Sequence, residues 1–203
     1  MSAVPAAILP EPATLAGPKI LLMGPSGTGK TYSLGTIVDW AAANKKQVFV
    51  LFTENGLETL LGYWRDRGLE VPECLHYQVL RTVPLGLADL MDAADKVGKL
   101  PYEAITKLTD PKRGQNNSAY KILAACSNFK DDRTGKTFGP VELWASDKIF
   151  INDSLSETAN AFMKMVIGNK PTASQPDYGL AQNNLMNFIR LLTQALQCTF
   201  VMT

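Results

Sequence analysis

Along most of the chain, short apolar runs alternate with stretches whose apolar positions recur every three and four residues. This is the pattern of buried strands separated by amphipathic helices. Lys19 to Met23 reads as a short apolar strand. Leu34, Ile37, Val38 and Ala41 fall on one stripe and predict a helix from Thr31 to about Ala43, ending near Asn44-Lys45-Lys46, where cations suit a C-terminus. Gln47 to Phe52 is apolar on both faces, as a strand covered by helices on each side should be. Leu57, Leu60, Leu61 and Trp64 predict a helix over about 57–67, followed by a strand from Leu75 to Arg81 and a helix from Leu85 to about Lys99. A further helix is expected at 117–127, a strand at Lys148 to Asp153, a helix from about Leu180 to Leu196, and a last strand from Cys198 to Thr203. Gly168 to Gly179, with Asn169, Lys170, Pro171, Pro176 and Tyr178, reads as a surface connection between two helices. By position, the same stretch could face a nucleic acid or an adjoining subunit. The alternation gives an α/β class with a mostly parallel sheet flanked by helices on both faces.

Residues 1–17 are rich in Ala and Pro, and Pro5, Pro10, Pro12 and Pro18 break any helix. They read as a flexible tail, and residues 18–203 as one core with an irregular insertion at about 101–141. The 203 residues suffice for one full α/β core, with 46% hydrophobic and 19% charged residues. Net charge is +1, so no global basic field implies non-specific nucleic-acid binding. Charge is instead concentrated. Lys107, Lys112, Arg113, Lys121, Lys130, Arg133 and Lys136 face only Asp110, Asp131 and Asp132 between residues 107 and 136, a local excess of +4. A solvated surface loop explains that excess, as would a nucleic-acid contact, an arginine finger toward a neighbour, or a lid. Phe129, Phe138 and Trp144 are expected to anchor the segment to the core. Cys74, Cys126 and Cys198 have no metal-ligand spacing and read as buried free thiols in a reducing compartment. No apolar run approaches a membrane span and no signal-peptide layout opens the chain, so a cytoplasmic protein is expected.

The chemistry concentrates at Gly24-Pro25-Ser26-Gly27-Thr28-Gly29-Lys30-Thr31, which fits the phosphate-loop pattern G-x-x-x-x-G-K-[ST] between a strand and a helix. A triphosphate needs many donors converging in a small space. Glycines at 24, 27 and 29 let successive backbone N–H groups turn inward, and the new helix presents its positive end to the same anion. Residues Gly24 through Tyr32 are therefore the candidate nucleotide contacts. Lys30 would reach the β- and γ-phosphates and the Thr31 hydroxyl would hold Mg²⁺. The expected cofactors are thus ATP and Mg²⁺.

Two carboxylates sit at strand ends on the same rim. Glu54, just past Phe52, could orient and deprotonate a water attacking the γ-phosphate. A solvated carboxylate in a turn, or one near the N-terminus of the helix starting about Leu57, is the plainer reading. Asp153 ends an apolar strand in the Walker B manner and would hold the metal opposite Thr31. Ser154-Leu155-Ser156-Glu157 also looks like a capping box, which offers Asp153 a turn role only. Ser154, rather than Glu, follows Asp153, so the base must come from elsewhere, and Glu54 is the best-placed candidate. His76, the single histidine, reads as a packing or hydrogen-bonding residue.

A phosphate loop, a strand ending in Thr53-Glu54 and a strand ending in Asp153-Ser154 together resemble the RecA-like P-loop ATPases. More narrowly, the chain resembles small phage-encoded RecA-like proteins associated with DNA recombination. Supporting features are Phe52-Thr53-Glu54, Asp153-Ser154-Leu155-Ser156, the helix from about Leu180 to Leu196 and the strand Cys198 to Thr203. The resemblance covers most of residues 19–203. It implies a Mg-dependent ATP hydrolase acting on single-stranded DNA, with catalytic Lys30 and Glu54 and metal-holding Thr31 and Asp153. It also implies a homo-oligomer with nucleotide near subunit interfaces, in the host cytoplasm if phage-encoded. In such proteins the last strand inserts between the phosphate-loop strand and the Walker B strand, and another strand covers the far side. The expectation is that the natural protein continues beyond 203, or that the tail or a neighbour covers that edge. The alternatives are a nucleotide or nucleoside kinase with the basic insertion as its lid, or a phage DNA-packaging or partner-switch ATPase.

Overall fold

The computed structural model describes residues 16–80, 87–105, 117–168 and 173–203. The expectations for Lys107, Asp110, Lys112 and Arg113, for Asn169 to Pro171, and for the tail through residue 15 lie outside the described residues.

Strands β1 (Lys19–Leu21), β2 (Gln47–Phe52), β3 (Leu75–Val79), β4 (Lys148–Asp153) and β5 (Thr199–Met202) form one sheet in the order β1-β5-β4-β2-β3. All four pairings are parallel. The bounds of β2 and β4 are those the apolar runs predict. Both strands are buried over five of six residues, which is why neither reads as alternating. The last strand lies between β1 and β4.

Helices cover both faces. Helix α1 (Lys30–Ala43) buries Leu34, Val38 and Ala41, and α2 (Leu57–Arg65) buries Leu60, Tyr63 and Trp64. They pack on Val48, Val50, Ile149, Ile151 and Val201. Trp64 Nε1 donates to Asp39 Oδ1 at 2.8 Å, so the polar end of the largest core side chain is satisfied. The described helices α3 (Leu87–Lys99) and α4 (Tyr102–Ile105) follow β3. On the opposite face, α5 (Ser118–Ser127), α6 (Leu155–Ile167) and α7 (Gln175–Arg190) enclose Phe49, Leu51, Phe150, Phe200 and Met202. Phe129 and Trp144 are buried in this second cluster and Phe138 packs against it, as expected. Full burial of each such side chain contributes about 2 kcal/mol.

One boundary is corrected. The final helix begins at Gln175, five residues before the expected start, and passes into a π turn at Leu191–Ala195. Pro176 does not break it. It stands in the first turn, where no intrahelical donor is needed, behind a capping box of Ser174 and Asp177. Pro176 and Tyr178 are therefore helical rather than part of a connection.

The two sheet edges differ. On β3, the outward amides of Tyr77 and Val79 donate to Asp131 Oδ1 (3.1 Å) and Asp132 Oδ2 (2.9 Å). The Asp132 amide returns a bond to Tyr77 O at 2.7 Å. Residues 129–139 thus close this edge without adding a strand to the sheet. His76 Nδ1 lies 3.0 Å from Asp131 Oδ2 and its ring stacks on Phe49, the packing role expected of it. Arg133 donates to the carbonyls of Pro72 and Leu75 and so fastens the entry of β3. That end of the sheet is opposite the strand tips where the bend at 24–31 lies, so Arg133 serves as an edge clamp and does not cover that bend of its own chain. Among the described residues the β1 edge carries no strand, and Ile20 and Leu21 are 40% and 50% exposed. Among the described residues no helix is long and apolar enough to cross a membrane.

Candidate functional site

The site lies beyond the carboxyl ends of the parallel strands, where ligands bind open α/β sheets. The bend between β1 and α1 is shaped by Gly27 and Gly29, with φ of 79° and 85°. This left-handed backbone is open to glycine at little cost. It hands the chain directly into α1, which starts at Lys30, one residue before the predicted start. The Thr28 hydroxyl donates to Pro25 O at 2.9 Å and braces the bend from within. The Lys30 ammonium donates to the carbonyls of Gly24 and Pro25 at 2.8 and 2.9 Å. Its charge is thereby held over the loop. Ser26, Gly27, Gly29, Lys30 and Thr31 line a cavity of about 500 Å³ at the start of α1. Tyr32 is turned elsewhere: its ring packs edge-on against Tyr63, and its hydroxyl accepts from Arg67 at 3.0 Å. Gly24, Pro25 and Thr28 stand in the bend and its bracing.

Residues far apart in sequence meet at Asp153. The Thr31 hydroxyl donates to Asp153 Oδ2 at 2.9 Å. The Thr203 hydroxyl, at the tip of β5, donates to Asp153 Oδ1. Asp153 is 1% exposed, so these hydroxyls compensate a carboxylate withdrawn from bulk water. Ser154 caps α6, accepting from the Glu157 amide at 3.4 Å. The two readings of Asp153-Ser154 hold together: Asp153 turns to Thr31 while Ser154 starts the helix.

Glu54 is brought to the same cavity by a lock between strand tips. Phe52 and Asp153 are register partners. Beyond them, the Thr53 amide donates to Asp153 O at 2.7 Å, and the Thr53 hydroxyl accepts from the Ser154 amide at 2.8 Å. Glu54 follows, exposed, on the wall of the cavity that also holds Lys30, Thr31 and Asp153. Four residues were not singled out by the sequence reading for this site. Thr53 ties the tips together and Thr203 reaches Asp153. Glu157 lines the cavity from the first turn of α6. At Gly56, a Cβ would stand 2.6 Å from Asp153 Oδ2 and 2.9 Å from Phe52 Cδ1, so only glycine permits this approach. The capping signature at Ser154–Glu157 was the one signal that could have pointed to Glu157.

The donor set suits a hard cation. Thr31 and Asp153 offer oxygen ligands, and among the described residues no group of three or more His, Cys, Asp or Glu side chains gathers as a metal cage. Mg²⁺ is held this way where phosphates and waters supply the remaining positions. No protein-family model matches the chain, and no curated protein matches it in sequence.

Proposed function

We propose that the chain is a RecA-like, Mg-dependent ATPase that couples hydrolysis to work on single-stranded DNA, acting as a homo-oligomer with nucleotide near its subunit interfaces. The observation that carries the nucleotide reading is the 2.9 Å contact of Thr31 with Asp153, across 122 residues, in a cavity that also holds Lys30 and Glu54. The loop amides and the Lys30 ammonium bind the phosphates, and Thr31 and Asp153 hold Mg²⁺. When bound, the metal supplies neutralising charge to the phosphate oxygens. Glu54 orients a water and accepts its proton as the oxygen attacks the γ-phosphorus. The bond to the β-phosphate oxygen breaks, and ADP and phosphate leave. Thr53 fixes the tip of β2 to Asp153 and Ser154, so the side that holds the metal is set before substrate arrives, while the Glu54 side chain stays exposed on the turn beyond.

Nucleotide titration and steady-state turnover test this reading. Lys30→Ala is expected to abolish ATP binding, and unchanged affinity refutes the phosphate site. Glu54→Gln is expected to keep ATP affinity within about threefold and lower turnover by about 10²-fold or more. Persistent turnover places the base elsewhere. Stimulation of hydrolysis by single-stranded DNA at low salt supports the recombination role. Consumption of ATP only with an added acceptor, indifferent to DNA, transfers the reading to a kinase.

A further inference from the structure

A second cavity of about 300 Å³ adjoins the phosphate cavity. Glu54, Asn55 and Glu157 line both. Two cations, Lys121 of α5 and Lys164 of α6, line only the second. The helices reach it through regular faces. Ser118, Lys121 and Ile122 are spaced by three and four on α5, and Glu157, Ala161 and Lys164 are spaced likewise on α6. The β2 tip and Leu80 after β3 complete it. The cavity therefore joins carboxylates that it shares with the phosphate cavity to two ammonium groups that it does not share, with Leu80, Ile122 and Ala161 also in its lining.

We propose that this second cavity binds one nucleotide unit, with its phosphate on Lys121 and Lys164, and that its occupancy sets the activity of the phosphate site through the shared Glu54–Asn55 wall. This rests on the phosphate-site reading above. The chemistry selects the ligand. Two lysines from different helices suit a compact oxyanion that offers acceptors in several directions. The Glu54 carboxylate and the Glu157 carboxylate, which already accepts from Asn160 at 3.0 Å, can take further hydrogen bonds, and the hydroxyls of a sugar or the amino and imino groups of a base supply donors. The apolar part of the lining, Leu80, Ile122 and Ala161, suits the face of a ring. A cavity of this volume is at the small end for ligand sites, so it takes a single unit. The unit can be a free nucleotide or one residue of a single strand, since both present the same groups. Glu54 follows the strand end on an exposed turn, so a ligand resting on that turn orders the carboxylate that must face the γ-phosphate.

The experiment first fills the phosphate cavity of the full chain with Mg²⁺ and AMP-PNP, then titrates dTMP and, separately, fluorescent oligo(dT) at low salt. At least one probe is expected to bind, and the same probe to raise ATP turnover severalfold in a parallel assay. Binding by dTMP marks a free nucleotide as the source. Binding by oligo(dT) alone marks a strand. Lys121→Gln with Lys164→Gln is expected to weaken that binding about tenfold or more, while Lys136→Gln, a cation of the same basic segment outside the cavity, changes it less than about twofold. Should the double variant melt early, Lys164→Gln alone tests the point, because that side chain is exposed, and a loss of about threefold is expected. The proposal is overturned if neither probe binds, if a bound probe leaves ATP turnover unchanged, if the lysine variants bind like the parent, or if Lys136→Gln loses as much. Failure of AMP-PNP itself to bind strikes the phosphate site instead, and the lysine comparison is then read on the nucleotide-free protein.

Discussion

Gly56 decides how close the exit of β2 comes to Asp153. Its missing side chain leaves room that a methyl group would fill against Oδ2 and the Phe52 ring. Gly56→Ala is expected to cost about 2 kcal/mol of stability and to lower Mg-dependent ATP affinity about tenfold, with a smaller loss when Mg²⁺ is omitted. Calorimetric titration with and without the metal, beside a thermal melt, checks both parts. Thr203→Val removes one of the two hydroxyls on Asp153 and is expected to cost about 1–2 kcal/mol by chemical denaturation. At this scale the bend at 24–31 was legible because its glycines stand where the backbone turns to positive φ, at Gly27 and Gly29. Asp153 and Glu54 were legible because each follows an apolar run. Thr203 was not, since its hydroxyl matters only once β5 is seated beside β4, an event fifty residues removed in sequence. Gly56 looked like any turn glycine, and Thr53 like any residue ending a strand. Their roles arise from a contact between two tips that no local pattern records.

At the scale of elements, the loop that closes the β3 edge is the informative case. Asp131 is fully buried. Burial pushes its carboxyl upward, but hydrogen bonds from Thr134, His76 and the amides of Tyr77 and Arg133 outweigh this and hold it below the ordinary carboxylate value. A depressed carboxyl contributes stability that is present above its unfolded value of about 4 and is lost as pH falls through the folded value. Denaturation midpoints are therefore expected to drop on acidification below about pH 4, and Asp131→Asn to flatten that part of the curve. Asp131→Ala strands several buried donors and is expected to cost about 3 kcal/mol at pH 7, measured in urea. The basic composition of residues 107–136 drew attention to its cations. In the described part, two of the anions cap strand amides, and Arg133 is bound to carbonyls. Strand bounds were readable because burial on two faces leaves continuous apolar runs. Helix starts were less so: α7 begins at a capping box whose proline, placed one turn later, would have meant a break.

For the whole molecule, three thiols report on cooperativity. Burial pushes Cys126 up to about 12. Burial also raises Cys198, against the opposing charge of Lys19, and raises half-buried Cys74. Burial thus keeps Cys126 in the thiol form and closes access to it. A disulfide exchange reagent is expected to leave Cys126 and Cys198 silent in the folded protein, with Cys74 slow, and to titrate all three thiols together as denaturant unfolds the chain. Rapid native labelling of two thiols contradicts this packing. The layered α/β plan was legible from alternation alone, whereas the sealing of one border by carboxylates was not, because acidic residues in a loop carry no sign of what they accept from. That asymmetry leaves the two borders of the sheet unequally covered among the described residues. Among the described residues, Asp131 and Asp132 already answer the β3 amides while no strand lies against Lys19–Leu21, so a strand added on that side would grip the stretch of backbone that leads into the glycine bend at 24–29.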